Sequence, residues 1–143
     1  HFPVDTTYNL PCTCGLYGHW EGYASGRGIP IFFREWCTVH DLPCAEMTTP
    51  GILRLTAEDI RYSGFRDALA KVNGRGLSTV IAAYDPECII LDGTVIQSNP
   101  DLLDQALMCT DRYLDLPVCL LSPLNGDAPL IGAAMTVFHP EMI

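Results

Sequence analysis

Positive charge is what this 143-residue chain has least of: eight Lys and Arg stand against seventeen Asp and Glu, a formal net charge of −9. No run of basic residues occurs, so the patch that a nucleic-acid backbone requires is missing, and no nucleic-acid partner is expected. Long hydrophobic runs are missing too. Apolar stretches such as "CIIL" and "VCLL" are far too short to span a bilayer, and no secretory signal is visible. A disulfide framework is the third absence. The seven cysteines are odd in number and only Cys12 and Cys14 lie close together. Cys37, Cys44, Cys88, Cys109 and Cys119 are scattered, several in apolar runs where a thiol behaves as a small hydrophobe. That distribution suits a reducing compartment, and the expected setting is the cytoplasm.

What is present describes a globular domain. Hydrophobic residues make up 48% and charged residues 17%, over a length that fits one domain with a real core. The first eleven residues, "HFPVDTTYNLP", carry no helix or strand period and lead directly into the most chemically loaded stretch. The expectation is therefore a processed or dissected piece of something longer. Residues 1–28 read as a loop and helix, 29–84 as helical, and 85–138 as strand, helix, strand, helix. The first helix breaks near Gly26–Gly28 and restarts at Pro30, a residue suited to a first helical turn. Residues 41–56 read as a loop punctuated by Pro43, Pro50 and Gly51. Thr56 then caps a helix reaching about Ala83, with Phe65, Leu69, Val72, Leu77, Val80, Ile81 and Tyr84 at helical spacing. Gly74 and Gly76 mark a small-residue contact within it. "ECIILDG" and "PVCLLSPL" read as buried strands, separated by a helix with Asn99 as N-cap and Pro100 at its first position. "APLIGAAMTVF" reads as a terminal helix whose Gly132, Ala133 and Ala134 permit close packing. This order favours an α/β layer with parallel strands.

The loaded stretch is "PCTCGLYGHWEGYASG", residues 11–26. Zinc takes thiolate and imidazole ligands in a tetrahedron. Cys12 and Cys14 flank one residue, Gly15 permits a sharp turn, and His19 can return to the same point from a first helical turn. His1 can complete the set from across the loop. Four protein ligands and no open position would make the zinc structural, bracing a loop with little core of its own. The alternative is that Cys12 and Cys14 are simply packed thiols. Glu21, two residues past His19, is expected to point away from the metal and into a cleft, where its two acceptor oxygens suit sugar hydroxyls. Its alternative is a solvated acid at a helix N-terminus.

The order of these residues resembles the ROK group of sugar kinases, repressors and uncharacterised proteins. The family's zinc signature is a glycine-histidine, a loop, then C-x-C-G-x-x-G-C-x-E and a small-residue S-G. Cys12-Thr13-Cys14-Gly15-Leu16-Tyr17-Gly18-His19-Trp20-Glu21, with Ser25-Gly26 after it, departs only where His19 replaces the third cysteine. Imidazole serves zinc equally well, and the form is similar to archaeal members. "YDPECIILDG" resembles the family's D-P-x-x-I-x-x-G-G strand and turn, with Asp92 in place of the first glycine. "NGDAPLIGAA" resembles its closing segment.

The resemblance implies the C-terminal half of an actin/ribonuclease-H-like sugar-kinase fold carrying a structural zinc loop. It implies His1, Cys12, Cys14 and His19 as metal ligands, and Glu21 and His1 as contacts to a hexose. Gly93 would be a backbone contact to the nucleotide, with ATP and Mg as cofactors of the complete enzyme. Asp92 is unfavourable near ATP unless turned away or paired. The family's D-x-G-G-T phosphate loop and its Asn-Asp dipeptide, whose Asp is the general base, are not in this sequence. No catalytic residue is therefore assigned here: phosphoryl transfer needs phosphates, metal and nucleophile positioned together. A missing N-terminal half, possibly a separate chain, would supply them, and the whole is expected to be a homodimer. The alternative functions are the effector domain of a ROK-type sugar-responsive repressor, or a degenerate subunit whose zinc loop only mediates assembly.

Overall fold

Within 28–39, Ile29, Phe32, Phe33, Trp36 and Cys37 form one stripe of a helix, and all five are buried. Burial of that stripe organises the core. Phe65 and Tyr62 close on it with ring centroids 5.0 Å and 5.7 Å from Phe33, and Tyr23 meets Phe32 at 5.1 Å. In the computed structural model, which describes residues 1–124 and 126–139, a looped segment at 1–20 leads into α1 (Glu21–Ala24) and α2 (Gly28–Val39). α3 (Thr49–Glu58), a 3-10 turn (Ile60–Tyr62) and α4 (Gly64–Tyr84) follow. The last part runs β1 (Cys88–Leu91), α5 (Thr94–Ser98), α6 (Asp101–Leu107), β2 (Val118–Leu121) and α7 (Ala128–Phe138).

Four expectations are corrected here. The first helical break falls at Ser25–Arg27, and α2 starts at Gly28, two residues before Pro30. Pro50 and Gly51 open α3 instead of punctuating a loop, because proline in a first turn loses no intrahelical hydrogen bond. Thr56 is consequently not a cap but a buried residue inside α3, its hydroxyl donating to the Leu53 carbonyl. The break lies at Asp59, where the backbone turns extended and the carboxylate accepts from the Arg61 amide. Asn99 is not an acceptor cap either: it follows the last residue of α5, a helix the sequence pattern did not reveal, and its side-chain amide donates back to Val95 O.

β1 and β2 pair in parallel, Cys88 opposite Val118 and Leu91 opposite Leu121, as the alternating order of elements led one to expect. They are not buried on both faces. Ile89, Leu91, Cys119 and Leu121 pack onto Leu77, Leu103 and Ala106, while Ile90 is 65%, Val118 59% and Leu120 50% exposed. α7 forms over the expected residues, but none of its residues is buried and a Cβ at Gly132 would meet open space. The close packing expected of Gly132–Ala134 is thus absent among the described residues, and Asn125 of the "NGDAPLIGAA" segment lies outside them. Gly74 and Gly76 do mark a contact: a methyl group at Gly74 would run into the Cys109 backbone, and one at Gly76 into the indole of Trp20.

Candidate metal centre and its neighbouring acid

The segment 1–20 folds back on itself through two isolated antiparallel bridges, Pro3 with His19 and Pro11 with Tyr17. Main-chain hydrogen bonds from Val4 N to Gly18 O (2.9 Å) and Trp20 N to Phe2 O (2.9 Å) hold the outer bridge. Cys12 N to Leu16 O (2.8 Å) closes the turn that carries both cysteines. Gly18 has a φ of +73° and lies so close to the Asp5 carbonyl that a Cβ would overlap it. Only glycine fits there.

This folding brings His1 and His19 side by side, with ring centroids 5.8 Å apart, above the cysteine turn. His1 Nδ1 stands 3.3 Å from Cys12 Sγ, and Cys14 Sγ stands 3.2 Å from His19 Nδ1. One ligand atom from each of the four residues lies within 4.8 Å of all the others. A zinc tetrahedron with Zn–S near 2.3 Å and Zn–N near 2.0 Å has N···S edges of about 3.6 Å, so the two pairs need only a slight opening to admit the ion. The donor set, two thiols and two imidazoles, is the set zinc takes in closed structural sites. All four residues singled out in the sequence therefore converge. His19 does so from the bridge with Pro3, two residues ahead of α1, and not from a first helical turn.

Glu21 faces the same loop. Its Oε2 accepts from the Cys12 thiol (3.3 Å), from Thr13 Oγ1 (3.1 Å) and from Thr13 N (3.4 Å). These donors, the Cys12 thiol foremost, hold its carboxyl below the usual carboxylate range in spite of some desolvation. The expectation that it points away from the metal ligands is thus overturned. The reason is tertiary: Gly22 sits against the Pro11 backbone, which pulls the first turn of α1 onto the cysteine turn. Glu21 still borders a cavity of about 170 Å³, with Thr13, Ser25, Arg27 and Gly28 among its walls.

A buried brace underlies the loop, and the sequence did not disclose it. The Tyr23 hydroxyl donates to Asp5 Oδ2 (2.8 Å) and accepts from Leu10 N (2.9 Å), while Tyr8 N also donates to Asp5 Oδ2 (2.8 Å). Burial alone would raise the Asp5 carboxyl, but the bonds from Tyr23 and from the amides of Tyr8, Thr7 and Asn9 outweigh it and hold Asp5 below its usual value. Burial and then the Asp5 charge push the Tyr23 phenol well above its usual range, so it stays a donor. Trp20 Nε1 donates to Asn73 Oδ1 (2.8 Å), and Arg75 Nη1 to Val4 O (3.1 Å), tying the loop to α4. "VDTTYN" has the Asp-Thr-Thr pattern of a local turn, the one available signal for Asp5.

Gly93 lies far from this loop in sequence but borders the same side of the core. With a φ of +122° and no described residue within 4 Å of a would-be Cβ, its backbone is open to approach among the described residues. It lines a cavity of about 370 Å³ shared with Trp20, Gly26 and Leu103, and the following Thr94 borders an adjoining cavity of about 800 Å³. Arg54 and Arg66 stand on the wall of the larger one; Arg66 pairs with Asp101 at 2.9 Å, and its Nε is buried without a partner among the described residues. Asp92 is paired, accepting from Gln97 Nε2 (3.3 Å) and Gly126 N (3.2 Å).

The ROK family profile matches residues 1–139 of the chain. The chain belongs to the ROK family. A glucokinase of Pyrobaculum calidifontis is 30% identical over all of this chain and 48% of its own length. A Streptomyces coelicolor glucokinase is 27% identical over 94% of this chain and 48% of its own. A Thermus thermophilus ROK hexokinase superposes with a TM-score of 0.72 at 27% identity, over 93% of this chain and 44% of that one. A Streptomyces griseus ROK glucokinase, solved with glucose and AMPPNP, gives 0.72 at 24% identity over 94% and 48%, a likeness of fold. The chain spans about half the length of the curated relatives it matches. The α/β architecture of this ROK chain is that of solved ROK sugar kinases. No helix among its described residues is long and apolar enough to cross a membrane.

Proposed function

We propose that this chain is the C-terminal part of an ATP-dependent hexose kinase acting on glucose or a close relative. The observation that carries the proposal is the convergence of His1, Cys12, Cys14 and His19 within 4.8 Å, with Glu21 hydrogen-bonded into the same turn. The names of its relatives support the sugar and the reaction. The four ligands hold a structural zinc, which supplies cross-linking and no chemistry on the substrate. Glu21 and His1 orient the hexose by accepting from or donating to its hydroxyls. Nucleotide and Mg enter on the Gly93 side, where the open backbone allows close approach and Arg54 and Arg66 offset phosphate charge. The paired Asp92 removes the objection its charge would otherwise raise. A companion half, within the same polypeptide or as a second one, supplies the base and the phosphate loops, and the assembled kinase dimerises.

The test is made on the complete protein. Elemental analysis is expected to return about one zinc per chain. A coupled assay with glucose and ATP is expected to show turnover that Glu21→Ala lowers at least about a hundredfold in kcat/KM, the scale of removing a charged contact to a bound hydroxyl. Turnover unchanged in that variant would remove Glu21 from the site.

A further inference from the structure

Thr13 stands between the two cysteine ligands and touches Glu21 twice, through its hydroxyl at 3.1 Å and its amide at 3.4 Å. The third donor to the same oxygen is the Cys12 thiol. Thr13 thus supplies two of the three donors on Glu21 Oε2, one from its side chain and one from its backbone. Oε1 takes no hydrogen bond among the described residues and belongs to the carboxylate that borders the 170 Å³ cavity. One oxygen is anchored and the other is left to accept from a ligand hydroxyl.

We infer that Thr13 is a positioning residue: it presents Glu21 to the sugar and makes that presentation depend on the metal-bound turn. The inference rests on the proposal that Glu21 contacts the hexose. Two features suit Thr13 to the task. Its neighbours on both sides are ligands, so a bound metal fixes its backbone. Its β-branched side chain has few χ1 options, so fixing the backbone largely fixes the hydroxyl. Serine would keep the hydroxyl, and valine would keep the shape without it.

The experiment uses the complete, zinc-loaded protein and four forms: wild type, Thr13→Val, Thr13→Ser and Glu21→Ala. D-glucose binding is read by titration calorimetry, zinc by elemental analysis, and kcat and KM by coupled assay. Thr13→Val is expected to keep its zinc and bind glucose about tenfold more weakly, the scale of a lost hydrogen bond to a charged group. KM should rise more than kcat falls, and Thr13→Ser should bind within about threefold of wild type. Thr13→Val binding glucose as wild type does, while Glu21→Ala does not, would overturn the inference and leave the Glu21 proposal standing. Loss of zinc in Thr13→Val, or equal weakening in Thr13→Ser, would mark a merely structural role and also overturn it. Glu21→Ala binding glucose normally would instead sink the proposal on which the inference rests.

Discussion

At the scale of single residues, the loop depends on one buried carboxylate as well as on any metal. Asp5 is buried, holds Tyr23 and Tyr8, and has its folded-state ionisation pulled below the ordinary 3.8. A group whose folded pKa is depressed contributes stability above its unfolded value and loses it as pH falls through the folded one. Asp5→Asn should therefore cost about 1–3 kcal/mol near neutral pH, where the Tyr23 bond is weakened and buried donors are left poorly matched. The gap between variant and wild type should narrow as the pH drops from about 5 toward 3 and below. Urea midpoints measured across that range check it; a gap that stays constant would mean that Asp5 is not the group involved. Sequence reasoning singled out the four side chains that converge, His1, Cys12, Cys14 and His19, because their chemistry names them as candidates. It missed Asp5, because an aspartate in a polar loop looks the same whether it faces water or a buried phenol.

Among the elements, α4 acts as the platform against which the site is held. Gly76 lets the Trp20 indole lie flat on the helix, and Asn73, three residues earlier, takes the indole proton at 2.8 Å. Trp20 separates His19 from Glu21 in the chain, so its seat on α4 anchors the segment that carries both. Gly76→Ala puts a methyl group inside the indole and should destabilise the chain by about 1–3 kcal/mol, as overpacking does, in spite of alanine's better helix propensity. Urea denaturation followed by tryptophan fluorescence measures the loss, and the emission maximum reports whether Trp20 has moved into water. The glycine pair was visible in the sequence as a small-residue contact. Its partners were not, since Trp20 and Cys109 approach α4 from distant parts of the chain.

For the whole molecule, the notable feature is a parallel sheet covered on one face. Parallel strands are ordinarily buried on both. Here Ile90, Val118 and Leu120 face outward, and α7 exposes Leu130, Val137 and Phe138 at 71%, 74% and 75%. On the proposal that a companion half completes the kinase, this apolar face is where it packs. Ile90→Asp with Leu120→Asp should then change the stability of the isolated chain by less than about 1 kcal/mol, because both residues are already exposed. The same pair should abolish co-purification with the remainder of the protein. Retained co-purification would place the contact elsewhere. The runs "CIIL" and "VCLL" read as doubly buried strands because their composition is that of central parallel strands. Composition reports the environment a segment is suited to, and among the described residues nothing covers the outer face of these strands.

The sequence by itself determined the family, the set of thiol and imidazole side chains that converge, and the parallel strand pair. Each is written in short-range patterns: the two thiols and His19 within eight residues, and strand-helix-strand in plain order. Only the tertiary structure decided where Glu21 turns, what braces the loop from beneath, and which sheet face stays open. Those outcomes depend on close approaches between distant segments, such as Gly22 on Pro11 and Gly76 on Trp20, and packing at that range leaves no periodic trace along a chain.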